Sequence, residues 1–289
     1  MSPDRLRELV DNDDILEFAI CLTNTPDISS LGSTDETILH YVAMHGKEVF
    51  LGLLIRKGVP LDTQTKAGLT PLHMACAYAH SECVRMLLEA GCNPNLMTKK
   101  HTSGLHHSCE QNDVESVALL LQYGAILDIK DSEGLTPLQV ACFYGATECL
   151  SILLGTASSI ATKDKMGRTP LHNASMNKSG VACIELLLCH GAGINDVDNS
   201  GRTPLHYAVK HQNIKGAYML LSRGALPSSR DASGLTPLHY ASLECNEGLV
   251  GLLMGHGADA SIKDINGAKA HDMTKNRPIR ELISSGVRA

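Results

Sequence analysis

Large aromatic side chains are scarce in this sequence, which has no tryptophan and only three phenylalanines among 289 residues. Bulky rings usually dominate the energetics of one large core, so their scarcity favours close packing between helices rich in Leu, Ala, Val and Cys. No apolar run reaches the roughly 20 residues that a membrane-spanning helix needs. Basic charge is not in excess either: the net charge is −6, whereas nucleic-acid-binding domains are usually strongly basic. The composition therefore predicts neither membrane insertion nor nucleic-acid binding.

Targeting signals are also missing from the first residues. Met1-Ser2-Pro3-Asp4-Arg5 has neither the basic n-region nor the apolar h-region of a signal peptide. We therefore expect a cytoplasmic protein, with a nuclear location as the alternative. Its ten cysteines would be reduced in either compartment.

A short phrase recurs along the chain at almost constant spacing. It reads Gly-Leu-Thr-Pro-Leu-His or Gly-Arg-Thr-Pro-Leu-His at 68–73, 167–172, 201–206 and 234–239, and Gln139 replaces the histidine at 134–139. Weaker copies complete a set of eight anchors, at residues 35, 68, 101, 134, 167, 201, 234 and 267. Every step is 33 residues except one of 34. Such a period is the sequence signature of a repeat architecture.

Each copy contains the signals of two short helices. In the phrase, Thr is a favourable N-cap and Pro is favoured at the first helical position. A second helix carries apolar residues at i, i+3 and i+4, as in Val84, Leu87 and Leu88, which gives one buried stripe. A glycine such as Gly91 follows, where a left-handed residue is wanted. One unit cannot bury its apolar face alone, so stacked copies are predicted.

The period and the Thr-Pro-Leu-His phrase resemble the ankyrin repeat over roughly residues 34–289. This resemblance implies an all-α solenoid of helix-turn-helix units joined by hairpin-like loops. We predict one domain over residues 1–289. Residues 1–33 lack the phrase and are predicted to form an acidic N-terminal capping segment with a polar outer face, with an acidic docking tail as the alternative. Residues 265–289 have lost Thr-Pro and are predicted to form the C-terminal cap.

Residues that invite a catalytic or metal site follow the repeat instead. The phrase histidines are predicted to hydrogen-bond between repeats, and they are His40, His73, His106, His172, His206 and His239. Most cysteines also recur at equivalent positions, as small hydrophobes do. The run from His106 to Cys109 looks like half a zinc site, but no second ligand pair follows at useful spacing. Since no catalytic motif is present either, we predict a protein that is not an enzyme and needs no metal or cofactor.

Two local features are left open at this stage. Asn95 and Asn195 resemble the loop asparagines that are acceptors for hydroxylation in ankyrin repeats, although Asn also tightens such turns. Ala157 replaces the glycine of other copies, which puts a Cβ at an unfavourable left-handed site.

The resemblance also locates a binding surface, since partners of ankyrin repeats commonly use the concave face made by hairpin tips and first helices. Repeats vary there at six offsets from the anchor: −4, −2, −1, +1, +9 and +10. For anchors 35 to 234 these positions hold ten basic and four acidic residues, so their net charge is +6 while the rest of the chain carries −12. Apolar residues cluster in the middle copies. The predicted partner-binding residues are Leu69, Tyr78, Lys130, Leu135, Phe143, Tyr144, Lys163, Lys165, Met166, Arg168, Met176, Arg202, Lys210 and Arg230.

From this surface we predict a scaffold that binds a protein or peptide partner on its concave groove. The partner would carry an apolar anchor flanked by acidic residues, and the scaffold itself would be a monomer. The alternative is an adaptor or regulatory module of a larger protein, for example a ubiquitin-ligase substrate receptor or a channel or kinase regulatory domain. A solvated charged surface without a partner is a further interpretation, and nucleic-acid binding through the basic groove is another, although the overall acidity counts against it.

Overall fold

The computed structural model describes residues 3–24, 35–156 and 158–285, the side chains of residues 3 and 4 excepted. Seventeen α-helices and one 3-10 turn lie in these ranges. The helices are α1 (Pro3–Asp11), α2 (Ile15–Asn24), α3 (Ile38–Met44), α4 (Glu48–Lys57), α5 (Pro71–Ala77), α6 (Ser81–Glu89), α7 (Gly104–Gln111), α8 (Val114–Gln122), α9 (Pro137–Tyr144), α10 (Thr147–Leu154), α11 (Pro170–Met176), α12 (Val181–Cys189), α13 (Pro204–Lys210), α14 (Ile214–Ser222), α15 (Pro237–Leu243), α16 (Glu247–Gly255) and α17 (Arg277–Ser285).

The helices fall into two compact units, Met1–Ser132 and Glu133–Ala289. In the first unit, α3, α5 and α7 pack in one row, and α4, α6 and α8 pack in another. In the second unit the rows are α9, α11, α13 and α15 and, beside them, α10, α12, α14 and α16. The predicted all-α repeat solenoid is confirmed, and its first and second helices form separate rows. The prediction of one domain over residues 1–289 stays a prediction.

Each first helix begins where the phrase predicts. Thr70 has extended backbone angles (φ −102°, ψ 167°), and its side chain accepts the N–H of His73. Pro71 then occupies the first helical position, where its missing N–H costs nothing. The copy anchored at 101 has no Thr-Pro, but Ser103 caps α7 in the same way, with His106 completing the capping box. A small hydroxyl side chain is therefore the essential part of this helix start.

The phrase histidines connect neighbouring repeats. The Thr70 N–H donates to Nδ1 of His73 over 3.1 Å, and Nε2 of His73 lies 3.2 Å from the carbonyl oxygen of Thr102 in the next repeat. Because a carbonyl only accepts hydrogen bonds, Nε2 must hold the proton and the ring is neutral. The same bridge is present at His40, His172, His206 and His239. The predicted hydrogen bonding between repeats is confirmed for these residues.

Burial disfavours the protonated, charged form of these rings. Burial lowers the pKa of His40, His172 and His239, and it lowers the pKa of His73 and His206 to about 4. Gln139 stands at the same position and has no titratable ring. Its Oε1 accepts the Thr136 N–H over 3.2 Å and its Nε2 donates to the Arg168 carbonyl oxygen over 2.9 Å. Glutamine thus reproduces both hydrogen bonds of the histidine.

The buried core contains most of the cysteines, as the sequence predicts. Cys76, Cys109 and Cys142 share one position of the repeat and are completely buried. Burial raises the pKa of Cys76 to about 12, so its thiol stays protonated. All ten cysteines are free thiols, and only Cys189 and Cys245 are exposed.

The two ends differ from the internal copies. In the N-terminal segment, Phe18 packs edge-on against Phe50 with 4.9 Å between ring centroids. Leu16 and Ile20 on the other side of α2 are 75% and 52% exposed, so the outer face is less polar than expected. The described side chains of the predicted segment end at residue 24, and Ala157 also lies outside the described residues. Near the C-terminus, a 3-10 turn (Ala270–Met273) replaces the first helix of the copy that lacks Thr-Pro.

None of the helices in the described ranges is long and apolar enough to cross a membrane.

Replacing His206 by Gln should weaken the dependence of stability on acid. The lowered pKa of His206 means that the unfolded chain binds a proton more readily, so stability is complete above pH 6.5 and falls as the pH drops toward about 4. Integrated from pH 7 to pH 5, this residue accounts for a loss of about 2 kcal/mol. In urea unfolding, the loss of stability between the two pH values should be smaller by that amount in His206→Gln than in the wild type, because the other buried phrase histidines contribute equally in both proteins. The exposed His190→Gln serves as the control, and equal acid sensitivity of all three proteins would contradict the prediction.

Candidate functional site

The hairpin loops before the anchors at 167, 201 and 234 are built around an aspartate three residues before the anchor. Oδ1 of Asp164 accepts the main-chain N–H groups of Met166 and Arg168, each over 2.9 Å. Asp198 and Asp231 do the same in the next two loops. An aspartate that accepts main-chain N–H groups two and four residues ahead fixes a tight turn. The loop tips therefore have one shape, repeated.

The loop tips of the second unit are joined by main-chain hydrogen bonds. Lys165 N–H donates to the Glu133 carbonyl oxygen over 3.0 Å, and Asn199 N–H donates to that of Met166, also over 3.0 Å. Gly134 makes this approach possible, because its φ is +81° and a Cβ there would lie 2.9 Å from the Lys165 nitrogen. These bonds hold the side chains of Lys165 and Met166, both exposed, at fixed places along the row.

We define the front face of the second unit as its loop tips, which carry Lys165 and Met166, together with one side of its first helices. That side lies opposite the buried leucines and carries Phe143, Tyr144 and Met176. On α9, Val140, Phe143 and Tyr144 follow i, i+3 and i+4 spacing and so share one side, roughly opposite the buried Leu138. Phe143 is 42% and Tyr144 49% exposed, and their rings meet edge-to-face at 5.3 Å. The structure thus brings together the aromatic pair that the sequence predicts.

The neighbouring first helix presents the equivalent side. On α11, Asn173, Met176 and Asn177 have the same spacing, Asn177 being the residue that ends the helix. Nδ2 of Asn177 donates to the Phe143 carbonyl oxygen over 2.9 Å, which ties the end of α11 to the end of α9. Met176, half-buried, stands at the position of Phe143 one repeat further on. The apolar part of the front face therefore spans two repeats.

The predicted basic residues differ in whether their charged groups are bound to other groups of the protein. Lys165 and Lys210 are exposed and form no ion pair within the described part of the chain. Nζ of Lys163 donates to the Val197 carbonyl oxygen over 3.0 Å, and Nη2 of Arg230 donates to that of Lys263 over 3.2 Å. These two side chains keep their charge but are tied along the row of loops.

The two remaining arginines of the predicted set are paired with buried aspartates. Nε of Arg168 lies 2.6 Å from Oδ2 of Asp164, and Nη2 of Arg202 lies 2.8 Å from Oδ2 of Asp198. Both carboxylates are completely buried and both arginine side chains are largely covered. The six offsets leave out these aspartates, so the count of +6 overstates the charge that a partner meets.

Asp198 lies at the centre of a small polar network. Its Oδ2 also accepts the Tyr207 hydroxyl over 2.7 Å, and the Arg202 guanidinium lies over the Tyr207 ring at 4.9 Å. Burial acts to raise the pKa of Asp198, but the hydrogen bonds from Tyr207 and Arg202 outweigh it and lower the pKa. Burial and the Asp198 bond raise the pKa of Tyr207. This arginine therefore has a structural role, whatever else it does.

Three predicted residues belong to the first unit, and the structure does not add them to the front face of the second. Leu69 is half-buried, and its carbonyl oxygen lies 3.0 Å from Nε2 of His40. Tyr78 is 56% exposed and stacks on His80 at 6.5 Å. Lys130 is exposed. Leu135 lies in the second unit and is half-buried just after its anchor glycine.

The loop asparagines bridge adjacent repeats. Asn95 donates from Nδ2 to the Gly124 carbonyl oxygen over 3.0 Å and accepts the Ile126 N–H at Oδ1 over 2.8 Å. Asn195 accepts the Leu226 N–H over 2.9 Å. Both amides therefore stabilise the turns, and hydroxylation of either one stays a prediction.

Sequence reasoning missed three polar residues of this region. Asp164 and Asp198 follow a visible rule, because each stands four residues before an arginine in the only two copies with Arg after the anchor glycine. Asn173 stands where neighbouring copies have Val140 and Tyr207, and because this position varies between copies, no sequence signal marks it. Within the described ranges, no three His, Cys, Asp or Glu side chains are grouped to hold a metal ion.

A second surface feature lies on the side of the second helices. A cavity of about 950 Å³ is bordered by α14, α16 and α17, and its lining includes Ile214, Tyr218, Gly251 and Leu282. Tyr218 is 57% exposed there. This cavity is the main alternative place for a partner in the second unit.

Comparisons with known proteins agree with the geometry. A family model described as "Ankyrin repeats (3 copies)" matches residues 8–98, 90–164 and 156–231, and a single "Ankyrin repeat" model matches residues 233–265. The crystal structure of the ankyrin repeat domain of human ASB11 is similar, with 27% identity and a TM-score of 0.71. That similarity covers 76% of this chain and 98% of the other. No curated protein matches the chain.

Replacing Asp198 by Ala should destabilise the second unit strongly. The change leaves the covered Arg202 guanidinium, the Tyr207 hydroxyl and two main-chain N–H groups without their acceptor. Removing one partner of a buried ion pair costs about 3 kcal/mol, which should appear as a lower urea midpoint. The exposed neighbour Asp196 provides the control, since Asp196→Ala should change stability by no more than about 0.5 kcal/mol. Equal midpoints for the two variants would refute the assignment.

Proposed function

Because the chain belongs to the ankyrin-repeat family, whose members generally act as protein–protein interaction modules, we propose that it binds a protein or peptide on the front face of its second unit. The proposal includes no catalysis. The polar networks that an enzyme would need are occupied in the repeat itself: the phrase histidines bridge repeats, and the loop aspartates accept main-chain N–H groups. An adaptor role within a larger protein stays a prediction.

The observation that carries this proposal is the exposed aromatic pair Phe143 and Tyr144. When a partner covers water-exposed rings, the free energy of the complex falls. Central aromatic residues dominate the energetics of many interfaces, and each often contributes about 2 kcal/mol or more to binding. The pair is held in place by the end of α9 and by the Asn177 bond to Phe143. Met166, 48% exposed, adds flexible apolar surface that adapts to different side chains. An apolar anchor of the partner is therefore expected at this point.

Charge supports an acidic partner, although less strongly than the sequence count implies. Lys165 and Lys210 offer free ammonium groups, and Lys163 keeps its charge while it bonds to a carbonyl oxygen. Exposed charges of this kind accelerate association and choose the sign of the partner, and salt screens them. We expect carboxylates on either side of the partner's apolar anchor, and affinity that falls moderately as ionic strength rises.

We also propose a reducing compartment, the cytoplasm or the nucleus. All ten cysteines are free thiols and eight are buried as core residues, which suits a chain that folds without disulfides.

A selection from phage-displayed random 12-residue peptides tests the proposed surface. Peptides selected on the wild type should contain an apolar residue flanked by acids. Binding of the best peptide should weaken at least tenfold in Phe143→Ala/Tyr144→Ala and about threefold to tenfold in Lys165→Glu/Lys210→Glu, by fluorescence anisotropy at low salt. Circular dichroism should first show that each variant keeps its helicity and melting temperature.

The matched control for the aromatic change is Tyr218→Ala. It removes one ring, 57% exposed, from the side of the second helices, and we expect unchanged peptide binding. If this control loses the peptide while the Phe143/Tyr144 variant keeps it, the front face is the wrong surface and the cavity beside α16 is the site.

A further inference from the structure

Asn173 on α11 is a buried side chain whose hydrogen-bonding groups are unused. The residue is completely buried, and neither Nδ2 nor Oδ1 has a hydrogen-bond partner within the described residues. A buried amide that loses its bonds to water without replacing them destabilises the fold. Natural sequences usually avoid such residues, so this one requires an explanation.

The equivalent positions in neighbouring repeats show that the fold does not need an amide here. Val140 fills the position on α9 without any polar atom in its side chain. Tyr207 and Tyr240 fill it on α13 and α15, and their hydroxyls donate to Asp198 over 2.7 Å and to Asp231 over 2.8 Å. Packing is therefore satisfied by an apolar residue or by a polar residue with a partner, and Asn173 is neither.

The position of Asn173 connects it to the proposed binding surface. It is three residues before Met176 and four before Asn177, so all three lie on the same side of α11. That side is the front face, next to the end of α9 with its aromatic pair. Because the Asn173 amide makes no hydrogen bond to the described residues, turning it toward the front face breaks no bond to them.

We propose that Asn173 is a recognition residue, whose amide turns outward on binding and pairs with the main chain of an extended peptide. This inference rests on the proposed function. A side-chain amide has an acceptor oxygen and donor hydrogens, which match the N–H and C=O that one residue of an extended chain presents on the same side. An extended segment carries such groups unpaired. Contacts to main chain supply affinity that depends little on sequence, while the aromatic pair and the lysines select the side chains.

A residue kept for binding at the expense of folding has a recognisable signature, because its replacement raises stability and lowers affinity. Asn173→Val copies the residue that the chain itself uses at 140. We expect its melting temperature to rise by about 2 °C or more. We expect its affinity for the phage-selected peptide to fall about tenfold, whereas a purely structural role for Asn173 predicts unchanged affinity.

A double-mutant cycle with the peptide backbone identifies the contact itself. The selected peptide is synthesised as a series, each member N-methylated at one main-chain nitrogen. One methylation should weaken binding to the wild type about tenfold and have little additional effect on Asn173→Val. Equal effects of every methylation on the two proteins would overturn the inference.

Failure of this inference is distinguishable from failure of the proposed function. If Asn173→Val binds the peptide as tightly as the wild type while Phe143→Ala/Tyr144→Ala does not bind it, the front face stands and Asn173 is not a recognition residue. If the aromatic variant binds unchanged, the front face is not the site and both proposals are overturned.

Discussion

One hydrogen bond, from a phrase histidine or Gln139 to a carbonyl oxygen of the next repeat in the same unit, is the contact on which the other features depend. Helices of seven to ten residues are not stable in isolation, so a repeat of this chain exists only against its neighbours. His172 shows how one ring serves both needs: Nδ1 accepts the Thr169 N–H at the helix start, and Nε2 lies 2.9 Å from the Arg202 carbonyl oxygen in the following repeat. Helix start and repeat spacing are therefore set together, and the variable positions of the loops and helices are left for other roles.

Some charged residues of the loops stabilise the turns, and others are exposed to solvent. Asp198 accepts hydrogen bonds from four donors. Two of them belong to Arg202, so this arginine is part of the turn. Lys165, only a few residues before Arg168, has no such partner among the described residues and extends into solvent. Two basic residues of the predicted set thus differ physically: Arg202 is held by a buried carboxylate, and the Lys165 side chain is exposed to solvent. A net charge summed over sequence positions cannot make that distinction.

The sequence predicts the repeating part of the structure well and the exceptions poorly. Thr70 and Thr136 predict where α5 and α9 begin because capping is a local interaction within four residues. Phe143 and Tyr144 are predicted to be accessible because they follow an anchor by fixed offsets, and the structure exposes both. The missing partners of Asn173 cannot be predicted in this way, since they depend on side chains from other repeats. The exposure of Leu16 on α2 cannot be predicted from the sequence either, because an apolar residue at helical spacing normally predicts burial.

The proposed binding surface stands on an ordered backbone. The aromatic pair stands at a helix end that Asn177 ties to the next repeat, and the loop tips are linked by main-chain bonds such as Lys165 to Glu133. A partner therefore meets a backbone that is already ordered, and little conformational entropy is lost by the scaffold on binding. Lys165 and Lys210 are exposed to solvent, where charges of this kind steer a partner more than they fix it. In the proposed binding mode, the rings would supply most of the affinity, the charges would set the association rate, and the Asn173 amide would align the partner's main chain.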